Sequence, residues 1–290
     1  MDFLGAPIGY IMNLIYGFLS NYGFTIIVIS VLFKLIIMPL TIKQQKSMAA
    51  MQEIQPLMNE IQTKYANDKE KQSQEMMKIY QEYNISPFAS CLPTLLQFPI
   101  LIGLYGAIAK PLSFMLGLAG DKINELAKVI GLTITKTMSP YRYEIDIANK
   151  ISQPDFIDKV QSIIPGFEGI DFNFFGLNLS VTPEFSVLSA AWILPVLAAA
   201  LTLLSSYLMQ AQNKTQSEAQ SSQKVMLYMM PIMILFFGFQ VPTGLSLYWS
   251  VNSILQIIQF YTLDRVIKER LATEIAVKGA SSVAKNQKRR

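Results

Sequence analysis

VISVLFKLIIMPLT, residues 28–41, is a run of apolar side chains interrupted by one charge, Lys34. The oily stretch extends outward to residues 23–42, and about 20 such residues in helix cross a hydrocarbon core about 30 Å thick. Lys34 then stands near the middle of the crossing, where a lysine costs about 2.5–3.5 kcal/mol on the insertion scale. One reading lets its stem snorkel to a surface, helped by Pro39, which kinks the helix and frees a backbone carbonyl. The other turns the ammonium toward water held inside the protein, since intramembrane charges are functional candidates by default.

The composition around this stretch is that of a membrane protein with solvated loops. Of 290 residues, 51% are hydrophobic and 15% charged, against about 25% charged in a soluble domain. There is no histidine, and Cys91 is the single cysteine. A disulfide framework, a Cys/His zinc site and a Ser-His-Asp triad are thereby excluded. The chain does not read as an enzyme, and no metal, cofactor or small-molecule substrate is implied.

Five segments approach spanning length: 23–42, 87–108, 187–209, 225–240 and 242–263. Val241-Pro242-Thr243-Gly244 has a tight-turn composition, so the last two should form an antiparallel hairpin. In residues 1–22, Phe3, Ile8, Ile11, Met12, Ile15, Phe18 and Leu19 recur at roughly helical spacing without a basic leader region. This reads as an amphipathic helix in the outer membrane interface.

Residues 43–86 hold six lysines and six acids and read as a charged helical hairpin turning at Ala66-Asn67-Asp68. Met48, Met51, Ile54, Met58 and Ile61 share one face of its first helix; Met76, Ile79, Tyr80 and Tyr83 share one face of its second. Residues 109–186 read as a long loop insertion in which Asp121 and Asp155 are candidate helix caps. Within it GIDFNFFGLNLS, residues 169–180, is aromatic enough to lie against the bilayer surface. Residues 210–224 are a short loop and 264–290 a basic tail.

Five spans put 43–86, 210–224 and the tail on one side, with sixteen Lys and Arg among them, whereas the N-terminal segment has none. The positive-inside rule therefore places the tail in the cytoplasm and the N-terminus outside. The expected architecture is an all-α polytopic membrane protein: five transmembrane helices around a hydrophilic groove, a cytoplasmic helical hairpin and an N-terminal interfacial helix.

The groove follows from polar stripes. Trp249, Asn252, Gln256 and Gln259 share one helix face, as do Ser90, Thr94 and Gln97; Ser30 lies one turn from Lys34, and Thr202, Ser205 and Ser206 mark the third span. Each hydroxyl or amide could be interhelical glue, worth about 0.6 kcal/mol on average. Lys34 argues otherwise for the set, because no Asp or Glu occurs within any of the five spans. A charge without a carboxylate wants water, which a positively charged aqueous cavity within the membrane would supply.

At these residues the chain resembles the YidC/Oxa/Alb3 membrane-protein insertases, specifically their five-span Gram-positive type. The resemblance runs through KLIIMPLTIKQQKSMAAMQEIQPLMNEIQTKY (34–65), EMMKIYQEYNISPFASCLPTLLQFPILIGLY (75–105), WILPVLAAALTLLSSYLMQ (192–210) and VMLYMMPIMILFFGFQVPTGLSLYWSVNSILQ (225–256). It implies a groove open to the cytoplasm and to lipid, closed on the outer side, that catches the polar tail of a nascent membrane protein. The family's intramembrane positive residue, five before the proline of its first span, lands on Lys34. Arginine is usual there, and lysine keeps the charge while losing the planar fork that grips a carboxylate bidentately.

By the same resemblance the family's last-span tryptophan falls on Trp249, and its third-span polar position on Ser205. The expected groove residues are Lys34, Ser30, Thr94, Gln97, Ser205, Trp249, Asn252 and Gln256. Met48, Met51, Met58 and Met76 of the hairpin are candidates for first capture of substrate, thioethers repacking around varied apolar segments; the plainer reading makes them the hairpin's own seam. Cys91 reads as a small packing residue.

The implied partners are nascent membrane proteins, with the Sec translocon as a companion. The basic tail adds either ribosomal RNA phosphates or anionic lipids, which composition does not separate. The implied location is a bacterial plasma membrane. Two rivals stand beside this reading. A transporter or channel using Lys34 to bind an anionic solute would need a path to both sides, often with repeated spans; a scaffold would tolerate loss of the charge.

Overall fold

A computed structural model describes residues 2–83, 92–132, 140–211 and 220–262. The chain divides into two compact units, residues 1–34, 97–206 and 225–255, and residues 35–96, 207–224 and 256–290. Apart from one two-stranded hairpin, the regular structure among the described residues is helical. Two helical stretches, Tyr22–Ser47 and Ala190–Met209, are long and apolar enough to cross a membrane by length and composition.

In the first unit, α1 (Asp2–Leu19) ends where Ser20 takes a left-handed φ of 49° and its N–H donates to the Tyr16 carbonyl at 2.7 Å. Asn21 opens α2 (Tyr22–Lys64), its Oδ1 accepting from Phe24 N at 3.2 Å. The expected contrast between an apolar and a polar face of α1 is not what is built. Ile8 and Met12 are buried, while Phe3, Tyr10, Leu14 and Phe18 are exposed on other sides. The helix is apolar around most of its circumference, a property of segments surrounded by hydrocarbon or protein. It packs on α5 (Pro111–Phe114) through two glycines: a Cβ at Gly5 would stand 2.6 Å from the Phe114 ring, and one at Gly9 2.5 Å from the Phe114 backbone.

Residues 109–186 are not an open loop. α6 (Gly120–Val129), α7 (Pro140–Ile151) and α8 (Pro154–Val160) bury Ile123, Leu126, Ile145, Ile147, Ile151 and Val160, and each full burial of such a side chain is worth about 1.5–3 kcal/mol. The buried Glu144 carboxylate accepts from Ser113 N and Ser113 Oγ, both at 2.9 Å, tying α7 to α5. Asp121 and Asp155 do not cap: Ala119 and Gln153 hold the N-cap positions without side-chain bonds, and both aspartates sit in the first turn. There their charge complements the helix dipole instead.

The aromatic stretch forms a hairpin, β1 (Asn173–Phe174) against β2 (Leu177–Asn178), with Phe175 and Gly176 at φ 50° and 82° in its turn. Both positive values fit the turn class that closes two-residue hairpins. Phe175 is 84% exposed, whereas Phe172 is buried.

The remaining helices of this unit are α4 (Leu92–Ala109), α9 (Ile193–Ala211, entered through a 3-10 turn at Ala190–Trp192), α10 (Gln220–Gly238) and α11 (residues 243–262). Their ends are gathered by residues 169–192. Tyr22 N donates to Asp171 O, the Tyr22 hydroxyl to Ile108 O, and Gly244 N to Leu179 O. Phe239, after α10, stacks on Phe185 at 3.9 Å and meets Trp192, before α9, edge-on at 4.6 Å. α2, α9 and α11 thus start at one end of the unit and α4 and α10 finish there, an alternation of five directions. Residues 87–91 of the expected second span, with Ser90 and Cys91, lie outside the described residues, as do 84–86 of the expected hairpin, 212–219, and residue 263 with the tail.

In the second unit, α2 passes the expected boundary at 42/43 as unbroken helix and ends at Lys64. Pro39 and Pro56 stand inside it. Asp68 caps α3 (Lys69–Glu82), its carboxylate accepting from Lys71 N at 3.0 Å. Ile54 and Met58 are buried between the two helices against Met51, Met76, Ile79 and Tyr80.

Candidate functional site

The first unit is apolar at its gathered end and polar farther along the same helices. At 1.5 Å per residue, Lys34 lies about 18 Å along α2 from Tyr22, and Ser30 about 12 Å. On α4, Gln97 is about 16 Å from Ile108; on α9, Thr202 and Ser205 are about 14–18 Å from Ile193; on α11, Asn252 is about 12 Å from Gly244. Nearer the gathered end the buried apolar residues include Tyr22, Ile26 and Ile29 on α2, Leu104, Ala107 and Ile108 on α4, Leu194 on α9 and Leu245 and Leu247 on α11, beside buried Thr25, Thr243 and Ser246. The hydroxyls of that end turn back on the backbone: Thr25 donates to Asn21 O, Ser250 to Ser246 O. Ser246 Oγ is buried with no partner among the described residues.

Lys34 continues the row of Ile26 and Ser30, both buried, and is itself half-buried. Val28, Leu32, Leu35 and Ile36 carry the exposed, lipid-like side of α2, so the ammonium stem leaves from the side that faces the other helices. Among the described residues no carboxylate and no hydrogen-bond acceptor partners Lys34. Trp249 packs partly buried against the apolar core, and Asn252 is half-exposed.

The rest of the expected set divides. Ser30 is buried and donates to Ile26 O; Ser205 is buried and donates to Thr202 O at 2.9 Å. Thr202 donates to Ala198 O and shares a 2.9 Å bond with Ser253 of α11. The Gln97 amide donates to the Tyr248 hydroxyl at 2.5 Å. Gln97 and Thr202 thereby tie helices together, whereas Ser30 and Ser205 bond back within their own helices. Ser253 and Tyr248 are therefore partners that the stripe of Trp249, Asn252, Gln256 and Gln259 passed over, since each sits one residue off that row; their own polarity was the available signal.

Gln256 and Gln259 belong to the second unit. Gln256 Nε2 lies 3.2 Å from Met209 Sδ, and the buried Gln259 donates to Thr41 Oγ1 at 2.9 Å. The Thr94 and Met48 side chains lie outside the described residues. Met51, Met58 and Met76 line the hairpin's internal seam, and Met58 is 3% exposed. The exposed apolar side chains of the hairpin are Leu57 and Met77, which the spacing argument did not single out, and Tyr83, which it placed on the seam face.

The profile of a family described as "60Kd inner membrane protein" matches residues 14–270. A "Membrane protein insertase YidC" from Rickettsia africae (strain ESF-5) is 30% identical over 260 residues, covering 89% of this chain and 38% of its own length. The protein of that name from Fusobacterium nucleatum subsp. nucleatum is 28% identical over 254 residues, covering 88% and 91% respectively. The one from Rickettsia prowazekii (strain Madrid E) is 30% identical over 259 residues, covering 89% and 38%. The chain thus spans 38% of the length of these Rickettsia relatives but 91% of the Fusobacterium one.

Proposed function

The chain belongs to the 60Kd inner membrane protein family, the YidC/Oxa/Alb3 insertases, which are non-enzymatic membrane insertion factors, and from that premise we propose that it inserts nascent membrane proteins into a bacterial plasma membrane. It does so through a positively charged groove, open to the cytoplasm, among five spans. The observation that carries this reading is the axial division of the first unit: a dry end gathered by residues 169–192, and beyond it a lysine with no protein partner among the described residues. The alternating directions of α2, α4, α9, α10 and α11 support five crossings. With the basic segments on the cytoplasmic side, the gathered end is the outer one.

No bond chemistry is required, only a lower barrier for carrying a polar segment into oil. Water around Lys34 shortens the dry path. At an effective dielectric near 20, the ammonium and an arriving carboxylate about 4 Å apart attract by roughly 4 kcal/mol before desolvation. That attraction is weak enough for release. The client's apolar segment then leaves into lipid, driven by about 25 cal/mol per Å² of its own apolar surface. Lys34, Trp249 and Asn252 are the groove residues this reading depends on; Gln97 and Thr202 brace its walls through Tyr248 and Ser253. Met77 and Leu57 offer the hairpin's outward apolar contact, while Met51, Met58 and Met76 would have to leave their seam to touch a client. Sec translocon, ribosome and anionic lipids are the companions, the last two through the basic tail.

The test is insertion by the purified full chain in sealed phosphatidylethanolamine/phosphatidylglycerol vesicles. A single-span client with an acidic tail is translated outside, and its tail should become protected from added protease. Protection no greater than in vesicles without the chain would defeat the proposal.

A further inference from the structure

A cavity that wets Lys34 from one side leaves about 18 Å of α2 between the ammonium and the gathered end, and something must keep ions from finishing that path. We propose that residues 169–182, within the long insertion, are the permeability seal of this protein; the inference rests on the groove reading above. The segment acts on the helix ends in two ways.

First, it occupies polar groups that would otherwise hold water. The opening N–H groups of a helix lack intrahelical partners and normally bind solvent. Here Tyr22 N donates to Asp171 O, Thr243 N to Val181 O and Gly244 N to Leu179 O, each at 2.9 Å. The Thr243 hydroxyl donates to Asn178 O at 2.9 Å, and the Asn21 amide to Asp171 Oδ2 and Asn173 O at 2.9 Å. Two of the three helices that start at this end, α2 and α11, are therefore capped by this one segment.

Second, it adds apolar bulk. Phe172 meets the Tyr22 ring edge-on at 4.8 Å, and both are buried. Leu179 is fully buried. A Cβ at Gly244 would come within 3.3 Å of Leu179 O and 3.2 Å of Ile26 Cδ1, so segment and helix are in contact without a gap at that point. The layer continues through Ile26 and Ile108 toward the helices' apolar half.

The experiment uses the full chain, with Cys91→Ser and Asn252→Cys, in sealed phosphatidylethanolamine/phosphatidylglycerol vesicles carrying an internal pH dye. Leu179→Ser and Phe172→Ala each thin the layer from a different residue, so that one misfolding variant does not decide the matter. Proton leak should rise severalfold in both. A bulky water-soluble maleimide reacting at position 252 from the cytoplasmic face should suppress the rise. A leak indifferent to that label bypasses the groove and overturns the seal. No rise, with position 252 still labelled, overturns the seal and leaves the insertase reading standing. No rise with position 252 unlabelled overturns the wet groove itself, and the seal with it.

Discussion

Replacing Lys34 with methionine should move stability and activity in opposite directions. The side chain is half-buried on the row of Ile26 and Ser30, and no described carboxylate or acceptor holds its ammonium. Methionine keeps the stem and orphans nothing. A central lysine costs about 2.5–3.5 kcal/mol on insertion, and a half-exposed one retains a fraction, so the variant should be more stable by about 1–2 kcal/mol. A client with an acidic tail loses its attractor at the same time. If desolvation removes half of the roughly 4 kcal/mol attraction, about 2 kcal/mol remains, equivalent to about thirtyfold in rate. Stability is read by unfolding the purified protein in mixed micelles, and rate by protease protection of newly made client. Lys34→Arg should restore insertion, and a client with a neutral tail should be nearly indifferent to all three residues. Destabilisation by about 3–5 kcal/mol, the mark of a broken buried pair, would refute the argument, as would equal loss for acidic and neutral tails.

Two further outcomes follow from the parts outside the spans. Burial pushes the Asp146 carboxyl above its ordinary value, against a weaker opposing pull from Arg142. The folded chain then keeps a proton that the unfolded chain has released, so this group's contribution is intact at acid pH and is lost as pH rises through the folded value. Asp146→Asn should therefore be neutral in acid and stabilising at about pH 7; melting curves that coincide at both pH values would contradict this. Asp68→Ala removes the cap on α3 and should cost about 1 kcal/mol, read as roughly fivefold faster hydrogen exchange at the Lys71 amide; unchanged exchange there would mean the cap is idle.

Much of the helical layout was readable because hydrocarbon runs of fixed length have few alternatives. The first hairpin turn was equally legible, since Asn67 and Asp68 interrupt a methionine and isoleucine period that resumes in α3. Residues 43–47 were read as the start of a separate hairpin helix, whereas Lys43, Gln44, Gln45 and Lys46 all have good helix propensity and α2 runs from the span into the hairpin as one helix. In the insertion at 109–186, Ile123, Leu126, Ala127 and Ile130 recur at helical spacing and are buried, but short helices joined by polar turns read as a loop, and which of them pack together is a matter of tertiary contact. At the candidate site, spacing located polar faces but not which atoms face each other. Ser205 and Thr202 look alike in sequence to any groove-lining hydroxyl, yet each already has a backbone carbonyl one turn back, a bond every buried helical serine or threonine can make.

The glycine contacts of α1 set a mechanical limit. With Phe114 wedged against Gly5 and Gly9, a roll of one residue, about 100°, would swing Ala6 or Tyr10 into the ring. The helix can therefore neither spin nor slip by a register step, and the compass bearings of Phe3, Leu14 and Phe18 are frozen. On the interfacial placement expected for α1, a bilayer that thins or thickens meets a keyed bearing rather than a floating log, and would itself have to deform around those three side chains.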